Sequence, residues 1–363
     1  MTFHDVFKGR KVLVTGHTGF KGSWLTQWLL ELGAEVTGLA LPPETDPNLF
    51  SLLGNKQYIS HHEVDIRDAE AVHKVLAQAK PEIVIHMAAQ PLVRLSYQEP
   101  KATWDVNVGG TVNLLESVRR VGGVRAFVVV TSDKCYENAE QVWGYRECDP
   151  MGGHDPYSSS KGATELAVAS WRRSFFNEVS GTQLASARAG NVIGGGDWAA
   201  DRIVVDFVKS VQLGKPIVLR NPGATRPWQH VMEPLSGYLN LAMHLYQNEG
   251  QAYAGGWNFG PSDESIVTVE TLAKGLVEAW GQGEVAIDQL AHHPHEAGLL
   301  KLDCSKALAR LGWHGVWDFH ETVRHTAEWY WGFGQGSDPK AMTLSQMRSY
   351  LATAEGAHLP WTI

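Results

Sequence analysis

Cysteine, positive charge and long apolar runs are all scarce in this chain of 363 residues. Its three cysteines, Cys135, Cys148 and Cys304, are odd in number and form no metal-spaced pair, which argues against a disulfide framework. The net charge is −8 and there is no basic run, which argues against a nucleic-acid partner. No apolar stretch approaches the ~18 residues that span a bilayer, and residues 1–10 lack the apolar segment of a secretory signal. We therefore expect a soluble, cytoplasmic protein without membrane contacts.

Strands and helices are predicted to alternate through the first half of the chain. Short apolar runs predict strands at residues 11–15, 35–41, 58–64, 83–87, 126–131 and 183–188. Helical spacing of apolar residues predicts helices at 68–79, 100–121 and 157–176. This order predicts an α/β fold with a doubly wound parallel sheet of the Rossmann type. In such sheets, ligands bind beyond the carboxyl ends of the strands.

The alternation stops after Asn191, where a Gly-Gly-Gly-Asp-Trp loop leads into short elements. We predict a dinucleotide-binding domain at residues 1–190, which also takes back part of 228–260. A smaller C-terminal α/β substrate-binding domain at 191–363 is expected to interlock with it. In this second part, Asp318 followed by Glu321 predicts a helix N-cap with a reciprocal acid.

A glycine-rich turn follows the first predicted strand. Gly16, Gly19 and Gly22 are spaced as G-x-x-G-x-x-G, and apolar residues at helical spacing come directly after them. Glycine permits the turn and a close approach of the backbone to a pyrophosphate, which then faces the free N–H groups of the helix start. The placement of the turn between strand and helix favours a dinucleotide site.

The second predicted strand ends without the acid that binds an adenosine ribose in such folds. Its tip reads Gly38-Leu39-Ala40-Leu41 and continues into two prolines. There is also no arginine at the tip to hold a 2′-phosphate, so NAD is favoured over NADP. Lys21, inside the glycine-rich turn, is the cation that opposes this preference.

Tyr157 and Lys161 form a Tyr-Ser-Ser-Ser-Lys motif at the start of a predicted helix. Residues four apart share a helical face and meet. Because an ammonium favours the phenolate, we expect Lys161 to lower the pKa of Tyr157. Tyr157 is then expected to act as a base that takes the proton of a sugar hydroxyl. An ordinary exposed helix start is the alternative, and the glycine-rich turn is what favours catalysis.

Ser132, Asp133 and Lys134 follow the strand predicted at 126–131. A serine near the phenol can hold the same substrate hydroxyl, which suits any alcohol oxidation. Asp133 and Lys134 add an acid and a base beyond the needs of hydride transfer. Beside a sugar, the two suggest proton removal from one carbon and loss of hydroxide from the next. A surface salt bridge is the alternative.

These motifs resemble the extended short-chain dehydrogenase/reductase family, and most specifically its CDP-D-glucose 4,6-dehydratases, over nearly the whole chain. The most specific segments are residues 15–24, 86–94, 131–136 (Thr-Ser-Asp-Lys-Cys-Tyr), 188–198 and 226–231 (Arg-Pro-Trp-Gln-His-Val). The related dTDP-glucose dehydratases carry Thr-Asp-Glu at the strand end where this chain has Lys134 as the third residue. The identity of the C5 base is therefore open.

The resemblance implies one reaction. Tightly held NAD takes hydride from C4 of the glucosyl group of CDP-D-glucose while Tyr157 removes the O4 proton. Lys134 is then the base at C5 and Asp133 the acid for the departing O6, and the hydride returns to C6. The product is CDP-4-keto-6-deoxy-D-glucose, in deoxysugar synthesis of the O-antigen type.

The resemblance also implies the binding residues. Those for NAD are Gly16, Thr18, Gly19, Phe20, Lys21, Gly22, Asp65, Ile66, Ala88, Ala89, Gln90, Asn107, Tyr157 and Lys161. Those for the substrate are Arg94, Ser132, Asn191, Arg202, Arg226 and His230. Arginine suits a diphosphate because its planar fork matches phosphate oxygens. Asn107 matches an asparagine that kinks its helix and supports Lys161.

A homodimer is also implied, joined in a four-helix bundle by the helices at 100–121 and 157–176. Leu114, Leu115 and Val118 form an apolar stripe on the first of these helices, and it faces either the partner or the chain's own sheet.

The stretch His-His-Pro-His-Glu at 292–296 is expected to be a polar loop, because no second ligand cluster accompanies it, so no metal is expected. Two other functions stay open. A nucleotide-sugar 4-epimerase would share Tyr157 and Lys161 without needing Asp133 and Lys134. A non-catalytic dinucleotide sensor is able to dispense with the pair of Tyr157 and Lys161, which this chain has.

Overall fold

The computed structural model describes residues 2–177, 179–247, 249–288 and 298–363. Its strands are β1 (Lys11–Thr15), β2 (Glu35–Ala40), β3 (Ser60–Glu63), β4 (Ile83–His86), β5 (Ala126–Val130), β6 (Gln183–Ala189), β7 (Val192–Ile193), β8 (Ile217–Leu219), β9 (Thr225–Pro227), β10 (Gln229–His230), β11 (Gly256–Phe259), β12 (Ile266–Thr268) and β13 (Val285–Ile287). Its α-helices are α1 (Phe20–Glu31), α2 (Leu49–Leu52), α3 (Ala69–Ala79), α4 (Val93–Gln98), α5 (Pro100–Trp104), α6 (Thr111–Val121), α7 (Pro156–Ser174), α8 (Ile203–Gln212), α9 (Met232–Tyr246), α10 (Val269–Trp280), α11 (Ser305–Leu311), α12 (Phe319–Gly334) and α13 (Pro339–Gly356).

The central sheet is parallel and has seven strands in the order β3-β2-β1-β4-β5-β6-β11. The predicted doubly wound parallel sheet is therefore confirmed. The strand order changes direction between β1 and β4, and a crevice opens at such a point beyond the carboxyl ends of the strands. The edge strand β11 brings the chain back to this sheet after the short elements that follow β6.

Both faces of the central sheet are covered by helices. Val12 and Val14 of β1 belong to one hydrophobic cluster with α1 and α9, whereas Leu13 belongs to a second cluster with α3, α6 and α7. Successive side chains of a strand point to opposite faces, so every position of a doubly covered strand is apolar. This explains the uninterrupted apolar runs in the sequence.

The second half of the chain adds small sheets and continues the same core. β7 pairs with β10 and β8 with β13 in parallel, and β9 pairs with β12 in antiparallel. The first cluster extends through Trp313, Trp329 and Tyr350 to Trp361, whose ring stacks on Phe3 with centroids 4.9 Å apart. One hydrophobic core therefore runs through both halves.

Aspartates begin two helices that the sequence predicted. The Oδ1 of Asp155 accepts from the N–H of Ser158 at 2.9 Å at the start of α7. The Oδ1 of Asp318 accepts from the N–H of Glu321 at 2.9 Å at the start of α12. The Glu321 carboxylate accepts from Arg324 at 2.5 Å rather than returning to the helix start, so the cap is not reciprocal.

The helix predicted at 100–121 is helical along its length but changes its hydrogen-bond register. A π-helical segment, Asp105–Gly110, joins α5 to α6. The apolar stripe of Leu114, Leu115 and Val118 is 0% exposed and packs in the second cluster, against the chain's own sheet. Of the two orientations expected for this stripe, the one toward a partner subunit is wrong.

Within the described ranges, no helix is long and apolar enough to cross a membrane. The same ranges contain no group of three or more His, Cys, Asp or Glu side chains arranged to hold a metal. The segment 292–296 lies outside the described residues.

Candidate active site

The glycine-rich turn after β1 leaves no room for side chains. A Cβ at Gly16, whose φ is +73°, would lie 2.8 Å from the backbone N of Ala88. A Cβ at Gly22 would lie 2.1 Å from the carbonyl oxygen of Gly16. Gly19 begins α1, and no side chain of the described residues caps this start, so the first-turn N–H groups are left for a ligand. The turn therefore fits the pyrophosphate of a dinucleotide.

The backbone after β4 lies against this turn. The hydroxyl oxygen of Thr15 accepts from the N–H of Ala88 at 3.1 Å. Ala88 and Ala89 stay partly exposed, as does Phe20 in the first turn of α1. These predicted cofactor residues therefore lie beside the glycine-rich turn or in it.

The adenosine end of the site has polar groups but no acid at the end of β2. The Oγ1 of Thr18 donates to the carbonyl of Leu41 at 2.9 Å and ties the turn to the end of β2. Asp65, after β3, lies 2.5 Å from the Arg67 guanidinium, which lowers the pKa of its carboxyl. Its neighbour Ile66 is 4% exposed and packs in the second hydrophobic cluster.

His17 is a buried residue of this region to which the sequence gave no role. Its Nε2 lies 2.7 Å from Nδ1 of His61. Gly38 leaves room for the His17 ring, because a Cβ there would lie 2.6 Å from it. Burial, and then His61, lower the pKa of His17 to about 4. The sequence signal that marks His17 is its position inside the glycine-rich turn, next to β2, whose end lacks the acid expected there.

Asn107 lies in the π-helical segment and joins three parts of the site. Its Oδ1 accepts from the N–H of Gln90 at 2.8 Å, and its Nδ2 donates to Oγ of Ser160 at 2.9 Å. Its carbonyl accepts from the hydroxyls of Thr111 at 2.7 Å and Thr164 at 2.9 Å. Asn107 thus holds α7 through Ser160 and Thr164.

Tyr157 and Lys161 lie one turn apart on α7 and are 8% and 5% exposed. Burial raises the pKa of Tyr157 to about 12, although a hydrogen bond with Ser132 opposes the rise, and Asp133 adds to it. The expected lowering of this pKa is therefore wrong for the protein without ligands, because desolvation of the phenolate dominates.

Lys21 lies among the charged groups at the catalytic end of the crevice. Burial and Arg202 lower the pKa of Lys21 to about 8, while Asp133 and Asp197 oppose that shift. Burial and the Lys21 ammonium also lower the pKa of Lys161 to about 8. Charged groups therefore converge at this end of the crevice. Lys21, the cation that opposed the preference for NAD over NADP, is one of them.

Ser132 begins a 3-10 turn, Asp133–Cys135, that carries the predicted acid and base. The Ser132 Oγ donates to Oδ1 of Asp133 at 2.9 Å and accepts from the N–H of Lys134 at 3.2 Å. Asp133 is 2% exposed, and its Oδ2 has no hydrogen-bond partner among the described residues. A buried oxygen of this kind calls for a partner, and a substrate hydroxyl is one candidate.

Two of the predicted substrate residues have atoms left for a ligand. The Oδ1 of Asn191 is buried and without a partner in the part of the chain that the structure describes. The Nε of Arg202 lies 3.7 Å from Oδ2 of Asp197, and the Arg202 charge acts on both Tyr157 and Lys21. Asn191 and Arg202 therefore belong to the charged end of the crevice.

The other two predicted arginines, Arg94 and Arg226, are each hydrogen-bonded within the chain. The Nη1 of Arg94 donates to Oδ1 of Asp201 at 3.0 Å, in an ion pair that is partly exposed. Arg226 on β9 is 8% exposed, and its Nη1 donates to the carbonyl of Thr225 at 2.9 Å. The residue after it, Pro227, packs beside Gly190 next to Asp133.

His230 lies inside an aromatic pocket, and its Nε2 has no hydrogen-bond partner among the described residues, so the predicted substrate contact stays a prediction. It is 0% exposed, and its Nδ1 accepts from the N–H of Met232 at 3.3 Å. Its ring meets those of Trp317 and Trp24 with centroids 4.8 Å and 5.8 Å away. The sequence placed it with Arg226 in one motif, but Arg226 lies on β9 and His230 on β10, and the two strands belong to different small sheets.

Tyr238 of α9 is a residue near the catalytic groups that the sequence did not reveal. It is 0% exposed, and its hydroxyl has no partner among the described residues. Burial raises its pKa, and Tyr157 and Asp133 act in the same direction. No signal marked it, because α9 is apolar along most of its length.

The chain is similar to known proteins in both sequence and fold. A model of the family GDP-mannose 4,6 dehydratase matches residues 13–326. The chain is 51% identical over 352 residues to a CDP-glucose 4,6-dehydratase of Salmonella typhimurium, covering 96% of this chain and 98% of that protein. It is 29% identical over 325 residues to a dTDP-glucose 4,6-dehydratase of Streptomyces antibioticus, covering 88% and 92%. A solved UDP-glucose 4-epimerase of Thermus thermophilus in complex with NAD has a TM-score of 0.76 and 27% identity, covering 88% of this chain and 99% of that one.

Proposed function

Because the chain belongs to the GDP-mannose 4,6 dehydratase family of nucleotide-sugar dehydratases, we propose that it converts CDP-D-glucose to CDP-4-keto-6-deoxy-D-glucose and water. The observation that carries the proposal is the 51% identity to a CDP-glucose 4,6-dehydratase. The Ser132-Asp133-Lys134 turn beside Tyr157 supports it, because dehydration needs an acid and a base in addition to an oxidising site.

NAD is the cofactor, held by the predicted residues of the glycine-rich turn, the backbone after β4, and α7. When bound, NAD would supply the acceptor and the donor of the hydride, and its positively charged ring would favour the Tyr157 phenolate. That charge opposes the burial that raises the pKa of Tyr157 to about 12. The fit is supported by Gly16 and Gly22, where a Cβ would collide with backbone atoms of Ala88 and of Gly16, so that this tight turn requires glycine at both positions.

The residues divide the work in two. Tyr157 takes the O4 proton while Ser132 holds the same hydroxyl, which completes the oxidising half. The 4-keto group acidifies the C5 proton, which Lys134 removes, and Asp133 gives a proton to the departing O6. The unpartnered Oδ2 of Asp133 is the oxygen that faces this task.

Asn191, Arg202, Arg226 and Arg94 are proposed to hold the substrate diphosphate. Arg202 has the stronger support, because its charge acts on both Tyr157 and Lys21. Arg94 would have to leave its ion pair with Asp201 in order to reach a phosphate.

We further propose a cytoplasmic homodimer in O-antigen-type deoxysugar synthesis, with an NAD-binding domain at 1–190 that includes part of 228–260, and a nucleotide-sugar-binding domain at 191–363. The buried stripe on α6 does not support the dimer. The dimer is supported instead by exposed apolar side chains on α5, on α7 and directly after α7. Trp104 is 41% exposed, Leu166 62% and Phe175 43%. Light scattering should give twice the mass of one chain. A monomer at every concentration would exclude the four-helix bundle.

Incubation of the protein with CDP-, dTDP-, UDP- and GDP-sugars tests the reaction. We expect a 4-keto-6-deoxy product from CDP-D-glucose and little from the others. An epimer that keeps its 6-hydroxyl would establish the rival 4-epimerase. NAD binding without turnover of any of these sugars would favour the non-catalytic sensor.

A further inference from the structure

A buried ion pair lies directly behind the catalytic residues. Glu165 on α7 is one turn beyond Lys161, and its carboxylate accepts from Nε of Arg188 at 3.0 Å and from Nη2 at 2.7 Å. The side chains are 4% and 5% exposed. The hydroxyls of Thr131 and Ser186 donate to the same carboxylate at 2.5 Å and 2.6 Å. A buried pair needs such additional bonds, and here both carboxylate oxygens have them.

The third guanidinium nitrogen of Arg188 bonds the residue that directly follows the turn of Asp133–Cys135. The Nη1 of Arg188 donates to the hydroxyl of Tyr136 at 2.6 Å, and that hydroxyl donates to Oδ1 of Asn258 at 2.7 Å. The Nδ2 of Asn258 donates to the carbonyls of Tyr145 at 2.8 Å and Asp303 at 3.0 Å. The Tyr136 hydroxyl is therefore held from two sides by groups that are themselves held.

Tyr136 is the residue that follows the 3-10 turn of Asp133–Cys135. Its ring is 1% exposed and stacks on that of Tyr145 with centroids 5.3 Å apart. A short turn at a strand end has few bonds of its own, so an anchored side chain at its last residue limits how far the turn can shift. Through Glu165 and Arg188, that anchor is fixed to α7, which carries Tyr157 and Lys161.

We propose that Tyr136 is a positioning residue that sets the acid–base turn of Asp133 and Lys134 relative to the Tyr157 helix, through Arg188 and Glu165. The inference rests on the proposed function. It assigns oxidation at C4 to the Tyr157 helix and elimination to the turn of Asp133 and Lys134, which are the two parts that the network joins. Loss of the Tyr136 hydroxyl should then impair elimination while oxidation at C4 continues.

The test compares Tyr136→Phe with Tyr145→Phe. Both changes remove one hydroxyl from the same stacked pair, but the Tyr145 hydroxyl bonds Asn138 and the N–H of Ala139, away from Arg188. Each NAD-loaded variant is mixed with CDP-D-glucose in deuterated water. NADH absorbance, deuterium at C5 and the 4-keto-6-deoxy product are followed together.

In Tyr136→Phe, we expect C5 exchange and product formation to fall about 10-fold, within the ~100-fold that a misplacement of about 1 Å can cost. NADH formation and the KM for CDP-D-glucose should stay at the wild-type values, and Tyr145→Phe should match the wild type throughout. A general loss of stability would lower all rates together and would leave their ratio unchanged.

An unchanged ratio of C5 exchange to NADH formation in Tyr136→Phe would overturn the inference. If that variant does not fold, the same ratio in Asn258→Ser decides, because this change withdraws the acceptor from the Tyr136 hydroxyl. Failure of the wild-type protein to convert CDP-D-glucose would be a failure of the proposed function instead. The wild-type measurement therefore separates the two.

Discussion

Gly190 borders the unpartnered Oδ2 of Asp133, and a Cβ at Gly190 would lie 3.1 Å from that oxygen and 2.8 Å from Cγ of Pro227. The Oδ2 of Asp133, to which we assign the protonation of O6, therefore lies beside a residue that has no side chain. An added methyl group would have to displace Asp133 or Pro227.

Gly190→Ala should therefore lower dehydration strongly while the protein still folds. Overpacking of this kind typically costs about 1–3 kcal/mol, which a domain of this size can absorb. Gly223→Ala is the matched control, because a Cβ there meets nothing within 4 Å. Product formation and thermal unfolding are the measurements. Wild-type activity in Gly190→Ala would show that the space beside Asp133 is not used.

Tyr157→Phe should block the first oxidation and spare the fold. Removal of a general base typically lowers the rate about 10²–10⁴-fold, so NADH formation on mixing with CDP-D-glucose should almost vanish. NAD binding should persist, because the glycine-rich turn and Lys161 are unchanged. Tyr246→Phe is a suitable control, since its hydroxyl donates to Glu82 at 2.8 Å, in a segment that precedes β4. NADH formation at the control rate would remove Tyr157 from the role of base.

The elements of the fold followed from the sequence where a local rule decides the outcome. Apolar runs predicted β1, β4 and β5 because a doubly covered strand is apolar at every position. The aspartate cap of α12 was visible because such a cap acts over three residues. The resemblance implied a kink at Asn107, but the apolar spacing of the 100–121 helix did not show the π-helical form of this segment or the bonds of Asn107 to the distant residues Gln90 and Ser160.

The sequence predicted which residues form the site better than it predicted the surroundings of their side chains. The positions of Tyr157, Lys161 and the Ser132 turn agree with the motifs, but the raised pKa of Tyr157 depends on burial, which one sequence does not state. Tyr238 reaches the site from α9, and the placement of His230 depends on rings from distant segments. Only the folded chain brings such groups together.

Glu233 gives a prediction about stability against pH. It is 1% exposed on α9, and burial raises the pKa of its carboxyl from 4.5 to about 7 despite bonds from Trp317, Tyr350 and Val316. Because the folded state then binds a proton more tightly than the unfolded state does, this group makes the free energy of unfolding fall as pH rises from 4.5 to about 7. Below that window the contribution is fully present.

Glu233→Gln should flatten this dependence, because glutamine does not titrate and its Oε1 can accept the same N–H groups. At pH above 7 the variant should be more stable than the wild type by at most about 3 kcal/mol. Urea unfolding at several pH values measures the effect, with Glu355→Gln as an exposed control on α13. Equal slopes for wild type and Glu233→Gln across this window would contradict the assignment.

The division of labour between Tyr157 and the turn of Asp133 and Lys134 gives the last prediction. Oxidation at C4 needs the Tyr157 site alone, whereas elimination needs a base and an acid as well. Lys134→Met should therefore still reduce bound NAD with CDP-D-glucose but should scarcely exchange the C5 proton. Asp133→Asn should exchange C5 faster than it loses O6. Each defect should be about 10²–10⁴-fold, so both should be easy to measure.

Both variants are run in deuterated water, and NADH absorbance is followed beside deuterium at C5. Lys74→Met is the control for Lys134→Met, because Lys74 is an exposed lysine on α3, outside the site. Wild-type exchange at C5 in Lys134→Met would rule out Lys134 as the base and leave water or another side chain in that role. Equal loss of NADH formation in Lys134→Met and Asp133→Asn would show that the two halves of the reaction are not separable, because the turn would then be needed for the oxidation as well.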